Sequence, residues 1–363
     1  MKIAMFGHKR VPSREGGVEV VVGELSTRMA ALGHDVVCYN RGGNAERCAQ
    51  VSGVRLKTVP TINKKGLAAV SSSFFAALAV AFSGAQVCHI HAEGPALMSV
   101  LPKLFGKRVI VTVHGLDWQR EKWKSGFGAK YIRWGEKMAV RFADEIIVLS
   151  RNVQDYFLQQ YGRKTHFIPN GVTKPEKRLP EQITEQFGLQ GGDYILYLGR
   201  LVPEKGGHDL VEAFRQMKTN KRLVIAGGSS DTDDYVAMLK ALAANDDRIL
   251  FTGFVQGQLL EELYSNAYLY VLPSRLEGMP LSLLEAMSYG NCCVVSDIAE
   301  CAEVAEDYGV VFRKGNVQDL CDTLQKLCDD EQLAEQYRKH ASDFICGKYN
   351  WDDVTEKTLE LYQ

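Results

Sequence analysis

The chain has no surplus of charge: 43 Lys and Arg stand against 44 Asp and Glu in 363 residues. A polyanion such as nucleic acid is therefore not an expected partner. It has no C-x-x-C pair, and its nine cysteines are an odd number. Most lie in apolar context, so they read as reduced core residues of a cytosolic protein rather than a disulfide framework. No secretory leader precedes the first strand, since Met1–Gly7 (MKIAMFG) reads as a strand from its first residue. No unbroken apolar span is present either. The longest, Leu67 to Ala85, is interrupted by Ser71, Ser72, Ser73 and Ser83 and reads as a buried helix. Short-period repeats and low-complexity tracts are also missing.

What is present is alternation. Apolar strand-like runs such as Lys2–Phe6, Asp35–Tyr39, Val87–His91, Lys107–His114 and Glu145–Leu149 are separated by helical patterns such as Val18–Leu32 and Lys130–Phe142. This is the βαβ rhythm of a parallel, doubly wound sheet. It breaks between Thr173 and Asp193, where Pro175, Pro180, Gly188, Gly191 and Gly192 fall among scattered charges. It restarts at Tyr194–Leu198. The fold expected is α/β, with two Rossmann-like doubly wound domains facing a cleft. The boundaries expected are 1–172, a linker at 173–192 around one short helix, 193–346, and a closing helix at 347–363.

In such folds ligands meet the loops at the carboxyl ends of the strands. The most informative loop is Glu277-Gly-Met-Pro-Leu-Ser-Leu-Leu-Glu285. It follows a strand and opens a helix, placing one carboxylate before the helix and one inside it. Gly278 permits close backbone approach, and Pro280 suits a first helical turn. A helix start attracts anions, so two carboxylates beside it fit a ligand carrying both phosphate and hydroxyl groups. Arg200 and Lys205, in the loop after Tyr194–Leu198, supply two cations of the kind that stabilise a diphosphate leaving group. Gly227 follows the next strand. Gly16-Gly17 closes the loop after the first strand and precedes a helix. That loop is not G-x-G-x-x-G, and Tyr39-Asn40-Arg41 rather than an acidic residue ends the second strand, which disfavours a dinucleotide. His114 ends an apolar strand and points to a sugar hydroxyl or developing charge. His89 reads as core, and His91 stays open between core and site. A metal centre is disfavoured, with only Asp117 and Glu93 near these histidines in sequence.

The ordered set His114-Gly, Ile168-Pro-Asn-Gly-Val172, Gly199-Arg-Leu-Val-Pro-Glu-Lys-Gly206, Ala226-Gly-Gly228 and Glu277-x7-Glu285 resembles glycosyltransferase family 4. The likeness runs from the first strand to about Val311. It implies a GT-B fold and retaining transfer from a nucleotide-sugar donor. It also implies that Arg200 and Lys205 neutralise the diphosphate, that Glu285 holds the ribose and that Glu277 lies near the transferred sugar. Gly199, Gly227 and the backbone of Gly278, Met279, Pro280 and Leu281 would line the donor, Gly16 and Gly17 would approach its phosphates, and His114 would reach the sugar ring. The closing helix resembles the family's C-terminal helix that crosses back to the first domain. Retention would proceed by front-face displacement, the departing phosphate helping to deprotonate the acceptor. The acidic pairs Asp233-Asp234, Asp246-Asp247 and Asp352-Asp353 read as helix starts or surface pairs, so catalysis is expected to need no metal or other cofactor.

The run His114 to Trp123 resembles bacterial cell-surface polysaccharide transferases, some of them rhamnosyltransferases. Asp117, Trp118, Arg120 and Lys122 are its acceptor candidates, mixing cations with aromatics that suit a saccharide or a lipid diphosphate. From Leu101 to Arg141 ten Lys or Arg stand against three Asp or Glu. The segment Gly126–Phe142 is read either as a surface for an anionic membrane, which would make the protein peripheral on the inner face of the plasma membrane, or as an ordinary helix with a solvated basic face. The alternative activity is a sugar-nucleotide epimerase or hydrolase of the same fold. A non-catalytic binding module is disfavoured by the complete charge set, and a dehydrogenase by the first loop.

Overall fold

The computed structural model describes residues 1–43, 49–64, 66–121, 127–230 and 232–363. The chain forms two compact units, Met1–Asn170 with Trp351–Gln363, and Gly171–Asn350.

In the first unit the strands are β1 (Lys2–Phe6), β2 (Asp35–Arg41), β3 (Gln50–Val51), β4 (Val54–Val59), β5 (Val87–His91), β6 (Arg108–Val113), β7 (Glu145–Val148) and β8 (His166–Phe167). They lie in the order β3-β4-β2-β1-β5-β6-β7-β8. Every pairing is parallel except β3 with β4. All five residues of β5 are buried, as a central parallel strand covered on both faces requires. The β3–β4 hairpin was not anticipated. Its alternation around Ser52-Gly53 is short, and β4 is an outer strand that keeps several side chains in water.

In the second unit β9 (Tyr194–Leu198), β10 (Arg222–Ala226), β11 (Ile249–Gly253), β12 (Leu269–Leu272), β13 (Cys292–Ser296) and β14 (Gly309–Phe312) form an all-parallel sheet. The order is β11-β10-β9-β12-β13-β14. Alternate residues feed two cores. Leu196, Val224, Tyr270 and Val295 pack with Leu283, Leu284 and Met287 of the helix Leu281–Ser288. Ile195, Leu223, Val271 and Val294 pack with Leu210, Val211 and Phe214 of the helix Gly207–Gln216. Each such side chain taken out of water contributes roughly 1.5–3 kcal/mol before chain entropy is subtracted.

Residues 173–192, expected as a linker, belong to the second unit. The helix Gln182–Phe187 buries Ile183 completely. Its start is held by Glu262, also fully buried, whose Oε2 accepts the N–H groups of Glu181 and Ile183 at 3.0 Å each. The prolines and glycines around Ile183 and Leu189 mask these two core anchors in the sequence. The end of the chain packs with the first unit. Arg28 Nε donates to Asp352 at 2.9 Å, Arg108 Nε donates to the Leu361 carbonyl at 2.7 Å, and the Tyr362 hydroxyl meets His89 Nδ1 at 2.6 Å. Eight cysteines are free thiols, six of them buried, and Cys48 lies outside the described residues. Among the described residues no helix is long and apolar enough to cross a membrane.

Candidate functional site

Strand order reverses between β9 and β12 in the second unit, so their following loops diverge at a topological switch point. Two glycines bring the loops there into contact. Gly206 has φ +69, and a Cβ on it would stand 2.0 Å from the Pro273 carbonyl oxygen. Gly227 has φ +148, and its Cβ would stand 1.8 Å from the Gly199 carbonyl oxygen. Neither position accepts a side chain, and the backbone takes the space instead. Around this contact the Leu201 N–H donates to the Gly228 carbonyl at 2.9 Å and the Arg275 N–H to the Glu204 carbonyl at 2.8 Å.

Docked in this way, the β9 loop delivers Lys205 to the carboxylate of Glu277 in the β12 loop, with which it forms an ion pair. Both side chains are largely shielded, 14% and 7% exposed, so their charges act through less water than a surface pair would. The Ser274 hydroxyl donates to the same Glu277 oxygen at 2.6 Å, and Ser296 fixes the loop by donating to the Ser274 carbonyl at 2.5 Å. Arg200 lies half-buried beyond the end of β9, and the Tyr197 hydroxyl donates to its carbonyl at 3.1 Å. Gly278 and Met279 continue the loop. Pro280 is extended (φ −78, ψ 99) and is the residue that caps the helix Leu281–Ser288 rather than its first turn. No side chain caps this helix start, where N–H groups favour anions. Glu285 lies in the second turn of the helix. Its Oε2 accepts from the Tyr264 hydroxyl at 3.1 Å, and the Tyr264 ring stacks on Tyr289 at 5.3 Å. The arrangement combines cations, helix-start donors and two carboxylates in one loop cluster, the chemistry a sugar diphosphate needs.

The first unit holds the other candidates, at the switch between β1 and β5. Gly7 (φ +111) lets the β1 loop rest on His91, whose carbonyl oxygen would be 2.1 Å from a Cβ there. Gly16 precedes the helix Gly17–Ala31. A Cβ on Gly16 would meet Glu19 Oε2 at 2.4 Å, and Glu19 Oε1 accepts the Lys9 N–H at 2.8 Å, so this glycine makes room for a carboxylate that ties down the loop. His114 follows β6, and its Nε2 lies 3.2 Å from Nδ1 of the buried His91. Burial, and then the charge of Arg120, lower the His114 pKa to about 3. Burial likewise holds His91 well below the ordinary value and His89 at about 3. Burial thus favours the neutral form of all three rings, in which each can donate or accept a hydrogen bond but carries no charge.

The acceptor candidates also gather here. Asp117 and Arg120 form an ion pair at 2.9 Å, and the Arg133 guanidinium lies 4.3 Å over the Trp118 ring. Lys122 and Trp123 lie outside the described residues, as does Asp231, while Asp233 opens the helix Asp233–Ala243. Among the described residues no group of three or more His, Cys, Asp or Glu could hold a metal ion.

Lys205, Glu277, Glu285, Gly199, Arg200, Gly227 and Gly278–Leu281 thus fall in the second unit, and His114, Gly16, Gly17, Asp117, Trp118 and Arg120 in the first. Sequence reading missed Ser274 and Tyr264. Ser274 carried a weak signal, three residues before Glu277 in the same loop. Tyr264 carried none, because only helix packing brings it to Glu285.

Two family profiles match, "Glycosyltransferase Family 4" over residues 15–174 and "Glycosyl transferases group 1" over residues 181–344. The chain is 25% identical over 391 residues to alpha-maltose-1-phosphate synthase of Mycolicibacterium smegmatis, covering 100% of this chain and 99% of that one. Its fold is that of sucrose-phosphate synthase from Thermosynechococcus elongatus, with TM-score 0.86 and 22% identity over 99% of this chain and 98% of that one. It is also that of Anabaena HepE, solved with UDP-glucose, with TM-score 0.84 and 18% identity over 99% and 98%. With both profiles covering most of its length and two parallel α/β units of the GT-B type, the chain belongs to glycosyltransferase family 4.

Proposed function

We propose that this glycosyltransferase moves a sugar from a nucleoside-diphosphate-sugar to a hydroxyl acceptor with retention of configuration. The observation that carries the reading is the shielded Lys205–Glu277 pair, held at the switch point of the second unit by Gly206 and Ser274. A cation in a water-poor site stabilises developing diphosphate charge without reorganising at the moment of reaction. Arg200 adds a second cation in the same loop. On donor binding the diphosphate draws Lys205 away from Glu277, leaving Glu277 to accept sugar hydroxyls. Glu285, oriented by Tyr264, accepts the ribose hydroxyls. Neutral His114 donates or accepts one hydrogen bond at the sugar. With two cations supplied by the protein, the reaction proceeds without a metal.

The test is thermal stabilisation by UDP, GDP, ADP and dTDP, followed by the sugar forms of the nucleotide that works. Turnover with a chelator present examines metal independence. Stabilisation by none of the four nucleotides is the result that defeats the reading. Product formation without acceptor would instead point to an epimerase or hydrolase.

The acceptor is proposed to be a saccharide or lipid-linked saccharide of bacterial cell-surface polysaccharide synthesis, with rhamnose as a candidate sugar. Its contacts would come from Asp117, Trp118, Arg120 and Lys122. The protein is proposed to work at the cytoplasmic face of the plasma membrane. In support, the helix Phe127–Phe142 exposes Lys130, Arg133, Trp134, Lys137 and Arg141 and buries Ile132, Glu136 and Ala139. An exposed basic face carrying a tryptophan suits an anionic lipid surface.

A further inference from the structure

Behind His114 stands a second imidazole that the reaction described so far does not use. His91 is the last residue of β5 and is fully buried. Its backbone is fixed on two sides. A Cβ on Gly7 would stand 2.1 Å from the His91 carbonyl oxygen, so the β1 loop rests directly on it. The next residue, Ala92, leaves the strand with φ +76, and its N–H donates to the Thr112 carbonyl of β6 at 2.9 Å. A left-handed backbone is unfavourable for a residue with a Cβ and persists only where its surroundings hold it. The ring has two imidazole neighbours, its centroid 4.2 Å from that of His89 and 5.4 Å from that of His114. His89 is itself pinned, with Nδ1 on the Tyr362 hydroxyl at 2.6 Å and Nε2 on the Thr112 hydroxyl at 2.7 Å. Backbone and ring neighbours together hold His91 in place.

The two nitrogens of His91 differ in what they meet. Nδ1 lies 3.2 Å from His114 Nε2. Nε2 is buried and reaches no hydrogen-bond partner among the described residues. His114 is only half-buried, and with its Nε2 committed to His91, Nδ1 is the nitrogen left to meet a ligand.

A neutral imidazole carries its proton on one nitrogen, and the hydrogen bond made by the other decides which. Two arrangements therefore fit the contact. In one, His114 donates from Nε2; His91 must then keep its own proton on Nε2, a buried N–H with no acceptor, and His114 Nδ1 is a bare acceptor. In the other, His91 donates from Nδ1; its Nε2 is then a bare lone pair, and His114 carries its proton on Nδ1. An unpaired buried N–H is rarer in folded proteins than an under-used acceptor, which favours the second arrangement. We propose that His91 is the positioning residue of His114: its Nδ1–H donates to His114 Nε2 and fixes the proton of His114 on Nδ1, which meets the transferred sugar as a hydrogen-bond donor. Such a nitrogen selects an oxygen with a free lone pair, as a sugar hydroxyl offers. Burial, which lowers the pKa of both rings, favours the neutral forms that this bond requires. The sugar as the ligand of His114 rests on the functional reading above; the direction of the bond between the two rings does not.

The test combines nitrogen NMR of the full chain, its histidines labelled with ¹⁵N, with steady-state kinetics. The ¹⁵N shifts separate protonated from bare ring nitrogens, and the signals of His114 are those missing from H114A. At neutral pH wild type is expected to show His114 protonated on Nδ1 and bare on Nε2. H91F, which keeps a ring and removes the donor, is expected to lose this single form and to lower kcat at saturating nucleotide-sugar about fivefold, the effect of one misdirected neutral hydrogen bond. H91N, whose amide donates from near the place of Nδ1, is expected to restore the form and to bring kcat back to within about twofold of wild type. A wild-type His114 protonated on Nε2 overturns the proposal, and so does an unchanged His114 form in H91F. Should H91F fail to fold, the wild-type and H91N spectra decide. The expected spectra with unaltered kcat in H91F uphold the bond between the rings and overturn its use at the sugar. None of these results bears on diphosphate recognition by Lys205, which the nucleotide stabilisation test examines separately.

Discussion

Gly206 stands against Pro273 with no room for a single added carbon, a Cβ falling 2.0 Å from the Pro273 carbonyl oxygen. This contact, more than either charge, places Lys205 beside Glu277. Gly206→Ala is expected to cost at least about 1–3 kcal/mol of stability, because it meets both a left-handed φ of +69 and backbone carbonyl oxygen. Calorimetry of the variant, with and without nucleotide, should show a lower melting temperature and weakened nucleotide binding. Wild-type behaviour in both would refute the view that backbone contact sets the site.

Lys205→Ala removes the cation while leaving Glu277 its bond from Ser274. At saturating donor, kcat is expected to fall by about 10²–10³-fold, the usual effect of losing a transition-state electrostatic group. A change confined to donor KM would mean that Lys205 binds donor and transition state equally, contrary to the mechanism.

Tyr264→Phe deletes the hydroxyl that donates to Glu285 at 3.1 Å and keeps the ring stacked on Tyr289. Loss of one such hydrogen bond, about 1 kcal/mol, predicts an approximately fivefold higher donor KM with little change in kcat. Steady-state kinetics with the donor identified by thermal shift would measure it, and unchanged KM would dissociate Tyr264 from ribose recognition.

Acid should weaken the first unit. Burial lowers the pKa of His89 and His114 to about 3 and of His8 to about 4, while the unfolded chain titrates near 6.5. Between these values the unfolded state binds more protons, so stability is present above the unfolded pKa and is lost as pH falls toward the folded one. Each such histidine contributes a slope of roughly 1.4 kcal/mol per pH unit in that window. Thermal unfolding followed between neutrality and pH about 5 should show the first unit melting earlier, and substituting His89 by Asn should flatten the slope. A slope unaffected by that substitution would remove His89 from the account.

The basic face of the helix Phe127–Phe142 predicts salt-sensitive retention on anionic vesicles. With a Debye length of about 8–10 Å near physiological salt, retention should fall sharply between low and physiological ionic strength. Reversing Lys130 and Lys137 to Glu, both exposed, should abolish it without altering the melting temperature. A protein that vesicles fail to hold even at low salt has no such surface.

The strand and helix rhythm was legible because parallel strands are buried on both faces and therefore rich in apolar residues, as β5, β9 and β13 show. Edge elements were not. β3 and β4 alternate too briefly to register, and although a short helix was expected within residues 173–192, surrounding prolines and glycines hid that Ile183 anchors the helix Gln182–Phe187 in the core. Lys205, Glu277 and Glu285 stand out in the sequence as candidates because the first two fall in strand–helix loops and the third lies one turn into the helix that follows, where local chemistry suggests a ligand.

What the chain determined by itself was the list of candidate side chains and the loops that present them, since these follow from short-range spacing. Tertiary structure decided which of them meet. Lys205 and Glu277 are 72 residues apart and join only because β9 and β12 are neighbours and Gly206 admits the Pro273 carbonyl. Tyr264 reaches Glu285 through helix packing with no local signature. Such pairings depend on the closing of long loops around a close-packed core, a constraint that spacing along the chain does not express.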